Sequence, residues 1–180
     1  MKKLSMDELG RISVDEYKQA DKTPIVIVLD NIRSLNNIGS VFRTADAFRV
    51  CQIMLCGITA TPPHRDIHKT ALGAEASVDW KYFENTTDCI EYLKAEGYKV
   101  YAVEQADESV SLQNFDIAQH HKIAIILGNE VDGVDDEAIK MSDGCIEIPQ
   151  YGTKHSLNVS IATGIVVWDI FTKLNKWYKI

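Results

Sequence analysis

The sequence predicts an α/β fold, in which a largely parallel sheet carries helices on both faces. Residues Ile25–Leu29 form a continuous run of aliphatic side chains, which is typical of a strand buried on both faces of a parallel sheet. Further apolar runs then alternate with helical patterns along the rest of the chain, as they do where helices join parallel strands.

Six short apolar runs are the predicted strands of this sheet. In chain order they are Ile25–Leu29, Gln52–Cys56, Ser77–Phe83, Lys99–Val103, Lys122–Leu127 and Cys145–Ile148. Gly57 closes the second run and Pro149 ends the last, because both residue types interrupt strands.

Three segments between and after these runs are predicted helices. Ser40–Arg49 places its apolar residues on one stripe, and Thr86–Glu96 has Thr86 or Thr87 as a cap and Gly97 as a stop signal. Ser156–Leu174 is long and mostly apolar. Its core-facing positions are Val159, Thr163, Val166, Val167 and Ile170.

The remaining segments are predicted loops, and three of them are rich in polar or glycine residues. Asp30–Gly39 and Thr59–Ala74 are two of the predicted loops. The three polar or glycine-rich loops follow Leu29, Leu127 and Ile148. Because the carboxyl ends of parallel strands carry the ligand sites of such sheets, we expect these loops to open at one edge.

Composition predicts one globular domain over residues 1–180, with residues 1–22 as a short N-terminal extension. Hydrophobic residues make up 46% of the chain and charged residues 25%, which is ordinary for a folded domain. No apolar run approaches the ~20 residues of a membrane helix, and the first residues lack the apolar stretch of a secretory signal. Four scattered cysteines predict reduced, mostly buried thiols and a cytoplasmic location.

The net charge of −7 argues against a general nucleic-acid coat protein but allows an enzyme with a local basic face. Between residues 31 and 70 there are five Lys or Arg and two Asp or Glu. Between residues 105 and 147 there are two Lys and ten Asp or Glu. A bound polyanion is therefore expected to contact the first half of the chain and the lysines of the C-terminal tail.

The first motif is the segment Asn36–Thr44, which holds Asn37, Gly39, Ser40 and Arg43. Gly39 and Ser40 are typical of a helix start, where free N–H groups attract anions. Two interpretations stay open: Asn37 caps the helix and Arg43 is an ordinary surface residue, or both belong to a site.

The second motif is the segment Gly128–Gly133, whose glycine spacing imitates half of a P-loop. Val134 and Asp135 follow where a P-loop needs Lys and Ser or Thr, and carboxylates surround the segment, so nucleoside triphosphate binding is excluded. The segment is either a turn that needs a positive φ or a loop whose backbone closely approaches a neutral or cationic ligand.

The third motif runs from Ile148–Pro149 to Ser156, Asn158 and Ser160. Ser156 could cap the last helix, while Asn158 and Ser160 are polar for so apolar a helix and indicate a hydrogen-bonded or functional role. No other motif points to a dinucleotide, a hydrolase triad or a metal site.

Together the three motifs resemble those of the SpoU (TrmH-like) branch of the SPOUT RNA 2′-O-ribose methyltransferases. The shared pattern is an Asn six residues before an Arg, then Gly-Asn-Glu, then Ile-Pro followed by Ser-Leu-Asn. It occurs here as Asn37 with Arg43, Gly128–Glu130, and Ile148–Pro149 with Ser156–Asn158. The resemblance covers about residues 24–174.

The resemblance implies that the C-terminal segment is threaded into a deep trefoil knot, an exception to the usual absence of knots. It also implies a homodimer, in which Arg43 of one subunit lies near the cofactor of the other, and no metal. The implied cofactor is S-adenosylmethionine. The residues implied to hold it are Val103, Glu104, Leu127, Gly128, Ile148, Ser156 and Leu157.

The resemblance also assigns roles to single residues. The implied catalytic residues are Asn37, Arg43, Glu130, Ser156 and Asn158. Family accounts often make the residue matching Arg43 the base, but a guanidinium stays protonated in proteins. Arg43 is therefore expected to orient the target phosphate and stabilise the developing alkoxide. The predicted RNA-binding residues are Arg33, Arg43, Arg49, Arg65 and Lys69.

The sequence therefore predicts a methyltransferase acting on a ribose 2′-hydroxyl, with tRNA favoured and rRNA as the alternative. Two other classes remain open. One is a knotted RNA-binding protein without catalysis, and the other is a small-molecule α/β enzyme, which the acidic charge permits.

Overall fold

Seven parallel strands form one sheet in the part of the chain that the structure describes. The structure is a computed structural model, and it describes residues 1–5, 7–117 and 122–174. The strands are β1 (Thr23–Asp30), β2 (Val50–Cys56), β3 (Trp80–Phe83), β4 (Lys99–Val103), β5 (Val110–Ser111), β6 (Ile123–Leu127) and β7 (Gly144–Glu147). Their order in space is β3-β2-β1-β6-β4-β7-β5, and each neighbouring pair is parallel. The predicted parallel sheet is confirmed.

Helices cover both faces of this sheet, as predicted. They are α1 (Val14–Gln19), α2 (Leu35–Ala47), α3 (Arg65–Ala71), α4 (Ala74–Ser77), α5 (Thr86–Ala95), α6 (Asp136–Met141) and α7 (Val159–Leu174). Ile27 of β1 packs in one core with Phe42 of α2 and Val167 of α7. Val28, which points to the opposite face, packs in a second core with Leu93 of α5. Because β1 is buried on both faces, it reads as a continuous apolar run.

The sheet order brings the carboxyl ends of four strands together. β6 lies between β1 and β4, and β7 pairs with the other side of β4. Leu29 is the register partner of Leu127, and Val103 is the partner of Ile146. The loops that follow β1, β6 and β7 therefore start at the same edge, as we expected from their positions in the sequence.

Helix α2 begins five residues before the predicted start, at Leu35 rather than Ser40. Its cap is Ser34, whose side chain accepts a hydrogen bond from the Asn37 N–H over 3.3 Å. Of the two interpretations left open for Asn37, the one in which it caps the helix is therefore wrong. Asn and Gly are poor helix formers, which made this turn resemble a loop. Tertiary contacts of Gly39 and Asn37 override that preference.

The segment Thr59–Ala74, predicted as a loop, contains helix α3 and ends at the first residue of α4. The Pro62–Pro63 pair lies before α3 and does not interrupt it. His64 caps α3, because its Nδ1 atom accepts a hydrogen bond from the Asp66 N–H over 3.1 Å. The buried pair Ile67 and Ala71 gives the helix its apolar face.

Several predicted boundaries also shift. Strand β3 begins at Trp80 because Ser77 ends α4. The cap of α5 is Asn85, since the Thr86 hydroxyl instead donates to the buried carboxylate of Asp30 over 2.6 Å. Helix α7 begins at Val159, so Ser156 lies outside it and is not its cap.

Besides α3 and α4, five short described elements were not predicted: α1, α6, β5 and two 3₁₀ turns at Asp7–Leu9 and Leu112–Asn114. Helix α1 carries a capping box between Ser13 and Glu16. Asp135 caps α6 by accepting hydrogen bonds from the N–H groups of Glu137 and Ala138. Such short elements have too few residues to show a period.

The cysteines lie where the sequence predicted. Cys51 is half-buried, Cys56, Cys89 and Cys145 are buried, and all four are free thiols. Among the helices that the structure describes, none combines the length and the hydropathy that a membrane span requires.

We expect Gly39→Ala to destabilise the fold by about 1–3 kcal/mol, the usual cost of overpacking a core. A Cβ atom at Gly39 would lie 2.1 Å from the Thr70 Oγ1 atom and 2.2 Å from the Ile67 carbonyl oxygen, which cannot rotate away. The matched control is Gly152→Ala on the loop before α7, where no heavy atom lies within 4 Å. That change is expected to alter the stability by no more than about 0.5 kcal/mol. Urea unfolding measures both, and equal effects would contradict the close approach of α2 and α3.

Candidate functional site

A cavity of about 620 Å³ opens where the carboxyl ends of the central strands meet. The loops after β4, β6 and β7 form its walls. All the residues predicted to hold a cofactor line it: Val103, Glu104, Leu127, Gly128, Ile148, Ser156 and Leu157. Residues separated by more than 50 positions in the sequence thus share one cavity.

Three of the predicted catalytic residues form one hydrogen-bonded network at the rim of this cavity. The Asn37 Nδ2 atom donates to the Glu130 Oε1 atom over 2.9 Å. The Asn158 Nδ2 atom donates to the Asn37 Oδ1 atom over 3.2 Å. The network joins the start of α2, the loop after β6 and the start of α7, so one residue from each sequence motif contributes to it.

Glu130 is a carboxylate placed beside the N-terminus of α2. Its Oε2 atom accepts a hydrogen bond from the Arg33 N–H over 3.4 Å. Burial raises the pKa of Glu130, but hydrogen bonds from the Asn37 side chain and from the backbone of Arg33 and Ser34 outweigh it, and the net pKa lies below the ordinary value. Glu130 is therefore ionised at neutral pH, and its charge is favourable at this helix end.

The loop after β6 is folded back on itself very tightly. Asn129 and Gly133 exchange two backbone hydrogen bonds of 3.0 and 3.1 Å. A Cβ atom at Gly128 would lie 2.0 Å from the carbonyl carbon of Gly133, which itself has a φ of +74°. The Glu104 Oε2 atom accepts a hydrogen bond from the Val134 N–H over 3.2 Å. The positive φ of Gly133 agrees with the predicted turn, and the close approach that the structure shows lies between the two ends of the loop itself.

The lining of the cavity fits S-adenosylmethionine. Leu127, Ile148 and Leu157 supply apolar wall for a flat ring, and the exposed backbone of the tight loop supplies hydrogen-bonding groups. The carboxylates of Glu104 and Glu147 also face this space. They suit a cationic sulfonium and would repel a phosphate.

Arg43 lies in a second cleft, of about 550 Å³, between α2, α3 and α7. Its side chain is exposed and forms no hydrogen bond or ion pair with the residues that the structure describes. Lys69 lies in the same cleft, and Ile161 and Phe48 form part of its apolar wall. None of the residues of this cleft lines the cofactor cavity.

Ser156 takes a different position from the network. It lines the cavity from an exposed loop, and no hydrogen bond joins it to Asn37, Glu130 or Asn158 in the described part of the chain. Its placement fits the predicted contact with a cofactor in the cavity.

The predicted RNA-binding residues are spread over the surface. Lys69 shares the cleft of Arg43, and Arg65 begins the same helix as Lys69. Arg33 lies 3.9 Å from Asp132 in an exposed ion pair, which contributes little stability. Arg49 lies near Tyr17 and lines neither cavity. Only Lys69 is thus brought beside Arg43.

Of the three C-terminal lysines predicted to contact a polyanion, only Lys173 lies within the described residues. The Lys173 Nζ atom lies 2.5 Å from the Asp169 carboxylate and donates to the Leu112 carbonyl over 2.7 Å, so it is engaged within the fold. Lys176 and Lys179 lie outside the described residues.

Sequence reasoning missed several residues that shape the site. Ser34 carries an ordinary capping signal, because it stands just before an apolar helical pattern. Asp30 is fully buried at the end of β1 and accepts hydrogen bonds from Thr86 and from the Asp135 N–H. Its hydrogen-bond partners are 56 and 105 positions away, so no local sequence pattern predicts them.

Metal ligands are not grouped in the described ranges. Within residues 1–5, 7–117 and 122–174, no three His, Cys, Asp or Glu side chains are arranged to hold a metal ion.

Comparison with known proteins places these motifs in one family. The sequence pattern of the SpoU rRNA methylase family matches residues 24–168, which is most of the chain. The chain belongs to the SpoU rRNA methylase family. The resemblance to the SpoU (TrmH-like) branch that the motifs indicated is therefore confirmed.

Relatives of this SpoU family member include enzymes named for tRNA. It is 26% identical over 162 residues to a tRNA (guanosine(18)-2′-O)-methyltransferase of Thermus thermophilus, covering 90% of this chain and 81% of that protein. It is 31% identical over 162 residues to an uncharacterized tRNA/rRNA methyltransferase of Borreliella burgdorferi, covering 90% of this chain and 69% of that protein.

Solved structures agree with this assignment. The AdoMet-bound rRNA methyltransferase of Sinorhizobium meliloti superposes with a TM-score of 0.79 at 29% identity, over 88% of this chain. Our SpoU family member spans only 60% of that longer chain. The TrmH/SpoU tRNA-modifying enzyme of A. aeolicus superposes with a TM-score of 0.80 at 23% identity, over 91% of this chain and 83% of that one, which supports the fold.

Proposed function

We propose that this protein is an S-adenosylmethionine-dependent RNA methyltransferase, which transfers a methyl group to a ribose 2′-hydroxyl, with tRNA as the favoured substrate. The observation that carries the proposal is the network of Asn37, Glu130 and Asn158. It joins the three family motifs at the rim of a cavity whose lining suits the cofactor. Relatives named for tRNA and AdoMet-bound neighbours support the substrate and the cofactor.

The residues of the cofactor cavity hold the methyl donor, and those of the cleft of Arg43 bind the substrate. When bound, the cofactor supplies an electrophilic methyl group, and a direct displacement needs no metal. Leu127, Ile148 and Leu157 form apolar wall that keeps water from the reacting atoms. Glu130 stays ionised and, with Asn37 and Asn158, holds the loop after β6 against the start of α2.

Arg43 provides the positive charge for the substrate. It orients the target phosphate and stabilises the alkoxide that develops as the ribose hydroxyl attacks. Lys69, which shares the cleft, adds a second phosphate contact. Arg33, Arg49 and Arg65 are further RNA contacts in this proposal, although none of the three lines either cavity. Ser156 contacts the cofactor.

Two features of the surface support a homodimer with Arg43 acting across the interface. Ile161, Ile165 and Trp168 are 55%, 38% and 56% exposed, and their spacing places them on one face of α7. An exposed apolar stripe of this kind favours a protein interface. Arg43 also lies in a different cleft from its own cofactor cavity, so a partner subunit would complete the site.

The proposal includes the topology of the family. A C-terminal trefoil knot, in which the chain between β7 and α7 is threaded through a loop, accords with the position of β7 between β4 and β5. A single catalytic domain over residues 1–180, with residues 1–22 as an extension, and a cytoplasmic location belong to the same proposal.

The first test is transfer of labelled methyl from S-adenosylmethionine to total RNA that lacks this modification, followed by nuclease mapping. We expect one 2′-O-methylated nucleotide in tRNA. A product in rRNA would select the alternative substrate, which the relative named for both RNAs also allows. Cofactor binding without methylation of any RNA would contradict RNA as the substrate class. A protein that neither binds the cofactor nor methylates RNA would favour the RNA-binding class without catalysis.

A further inference from the structure

Ser160 lies between the two clefts, and the proposed reaction gives it no role. It is the second residue of α7 and lines the cleft of Arg43. Asn158, two positions earlier, lines the cofactor cavity. The short segment from Asn158 to Ser160 therefore separates the cofactor cavity from the cleft of Arg43.

Two donors of Ser160, its hydroxyl and its backbone N–H, bind the same end of the Asn158 side-chain amide. The Ser160 Oγ atom donates to the Asn158 Oδ1 atom over 2.7 Å, and the Ser160 N–H donates to the same oxygen over 3.0 Å. An amide has an acceptor at one end and donors at the other. With both donors on Oδ1, the Nδ2 group must point in the opposite direction, toward Asn37.

This orientation is passed along the network. Because Asn158 donates to the Asn37 Oδ1 atom, Asn37 is left with its own Nδ2 group for Glu130. An ionised Glu130 is an acceptor only, so the chain of donors runs in one direction from the Ser160 hydroxyl to the carboxylate. A flipped Asn158 would place an oxygen against an oxygen at Asn37 and break this order.

We propose that Ser160 is a positioning residue for methyl transfer, whose hydroxyl holds the Asn158 amide in the orientation that the network with Asn37 and Glu130 requires. The inference rests on the proposed function, because Asn37, Glu130 and Asn158 have their role in that reaction. Ser160 itself acts through Asn158 and not on the reacting atoms.

Three variants test this in the full-length protein: Ser160→Ala, Ser160→Thr and, as control, Ser142→Ala. Ser142 makes a comparable hydroxyl bond of 2.8 Å to the Ala138 carbonyl, far from both clefts. We expect Ser160→Ala to lower kcat by about 10- to 100-fold, the usual effect of losing a group that orients a functional side chain. Ser160→Thr keeps the hydroxyl and should retain activity, as should the control.

A double variant separates positioning from a structural role. If Ser160 acts through Asn158, adding Ser160→Ala to Asn158→Ala causes no further loss of kcat, because interacting residues are not additive. Multiplied losses, or a Ser160→Ala loss that Thr does not rescue, would overturn the proposal.

A readout without activity separates this inference from the proposed function. The Asn158 side-chain amide signals, observed by NMR in the free protein, should shift in Ser160→Ala and stay in place in Ser160→Thr. Unchanged signals in Ser160→Ala would overturn the role of Ser160, whatever the activity. If the signals shift but the wild type methylates no RNA, the proposed function fails while the control of Asn158 by Ser160 stands.

Discussion

Arg43→Ala is expected to lower kcat for methyl transfer by about 10²- to 10³-fold, the usual effect of removing a preorganised group that stabilises developing charge. Cofactor affinity should stay unchanged, because Arg43 lies in a cleft that shares no residue with the cofactor cavity. Single-turnover kinetics and calorimetric titration with S-adenosylmethionine measure the two effects separately.

Two comparisons make this result specific. Arg11→Ala removes an exposed positive charge from the N-terminal segment and should leave kcat unchanged. Arg43→Lys keeps the charge but loses the planar fork of donors, so we expect only partial recovery. Loss of cofactor affinity in Arg43→Ala would contradict the separation of the two clefts.

Mixing of subunits then locates the site that Arg43 serves. In a 1:1 mixture of Arg43→Ala with a variant that cannot bind cofactor, random dimers are half heterodimers. If Arg43 acts across the interface, each heterodimer has one complete site, and the mixture recovers about a quarter of wild-type activity. If Arg43 acts within its own subunit, the mixture stays inactive.

The second large effect is expected at Gly128. In Gly128→Ala the new Cβ atom would lie 2.0 Å from the carbonyl carbon of Gly133 and 2.1 Å from the Val134 nitrogen. Backbone atoms cannot rotate away, so the loop after β6 must open and displace the Glu130 carboxylate and the cavity wall. At an overpacking cost of about 2 kcal/mol or more, cofactor affinity falls by about 30-fold or more.

The matched control is Gly152→Ala, on the loop between β7 and α7. No heavy atom lies within 4 Å of the position where its Cβ would stand. Calorimetric titration should give the wild-type affinity for this variant, and circular dichroism should show both variants folded. Wild-type affinity in Gly128→Ala would mean that the tight loop is not a wall of the cofactor site.

Much of the fold was predictable because it depends on local patterns. The aliphatic runs at β1 and β6 are continuous because both faces of those central strands are buried. Every consecutive residue of such a strand is therefore apolar, and the pattern is visible in the sequence. The alternation of strands and helices then predicts the parallel sheet. The predictions failed at the start of α2 and in α3, where Asn, Gly and Pro have weak helical preference and tertiary packing decides.

For the candidate site, the sequence predicted the candidate residues and the order in which they occur along the chain. Asn37, Glu130 and Asn158 each belong to a motif that follows a predicted strand, and strand ends of a parallel sheet share an edge. Their types and their spacing from Arg43 were sufficient to indicate the family, which the comparison confirms.

The hydrogen bonds between those residues could be found only in the tertiary structure. The hydrogen bonds from Asn37 to Glu130 and from Asn158 to Asn37 join positions 93 and 121 residues apart, and no local pattern records a contact over that distance. The order of the strands in the sheet brings their loops together. The same packing separates Arg43 from the cofactor cavity and places Ser160 between them, because side-chain direction depends on where each helix begins.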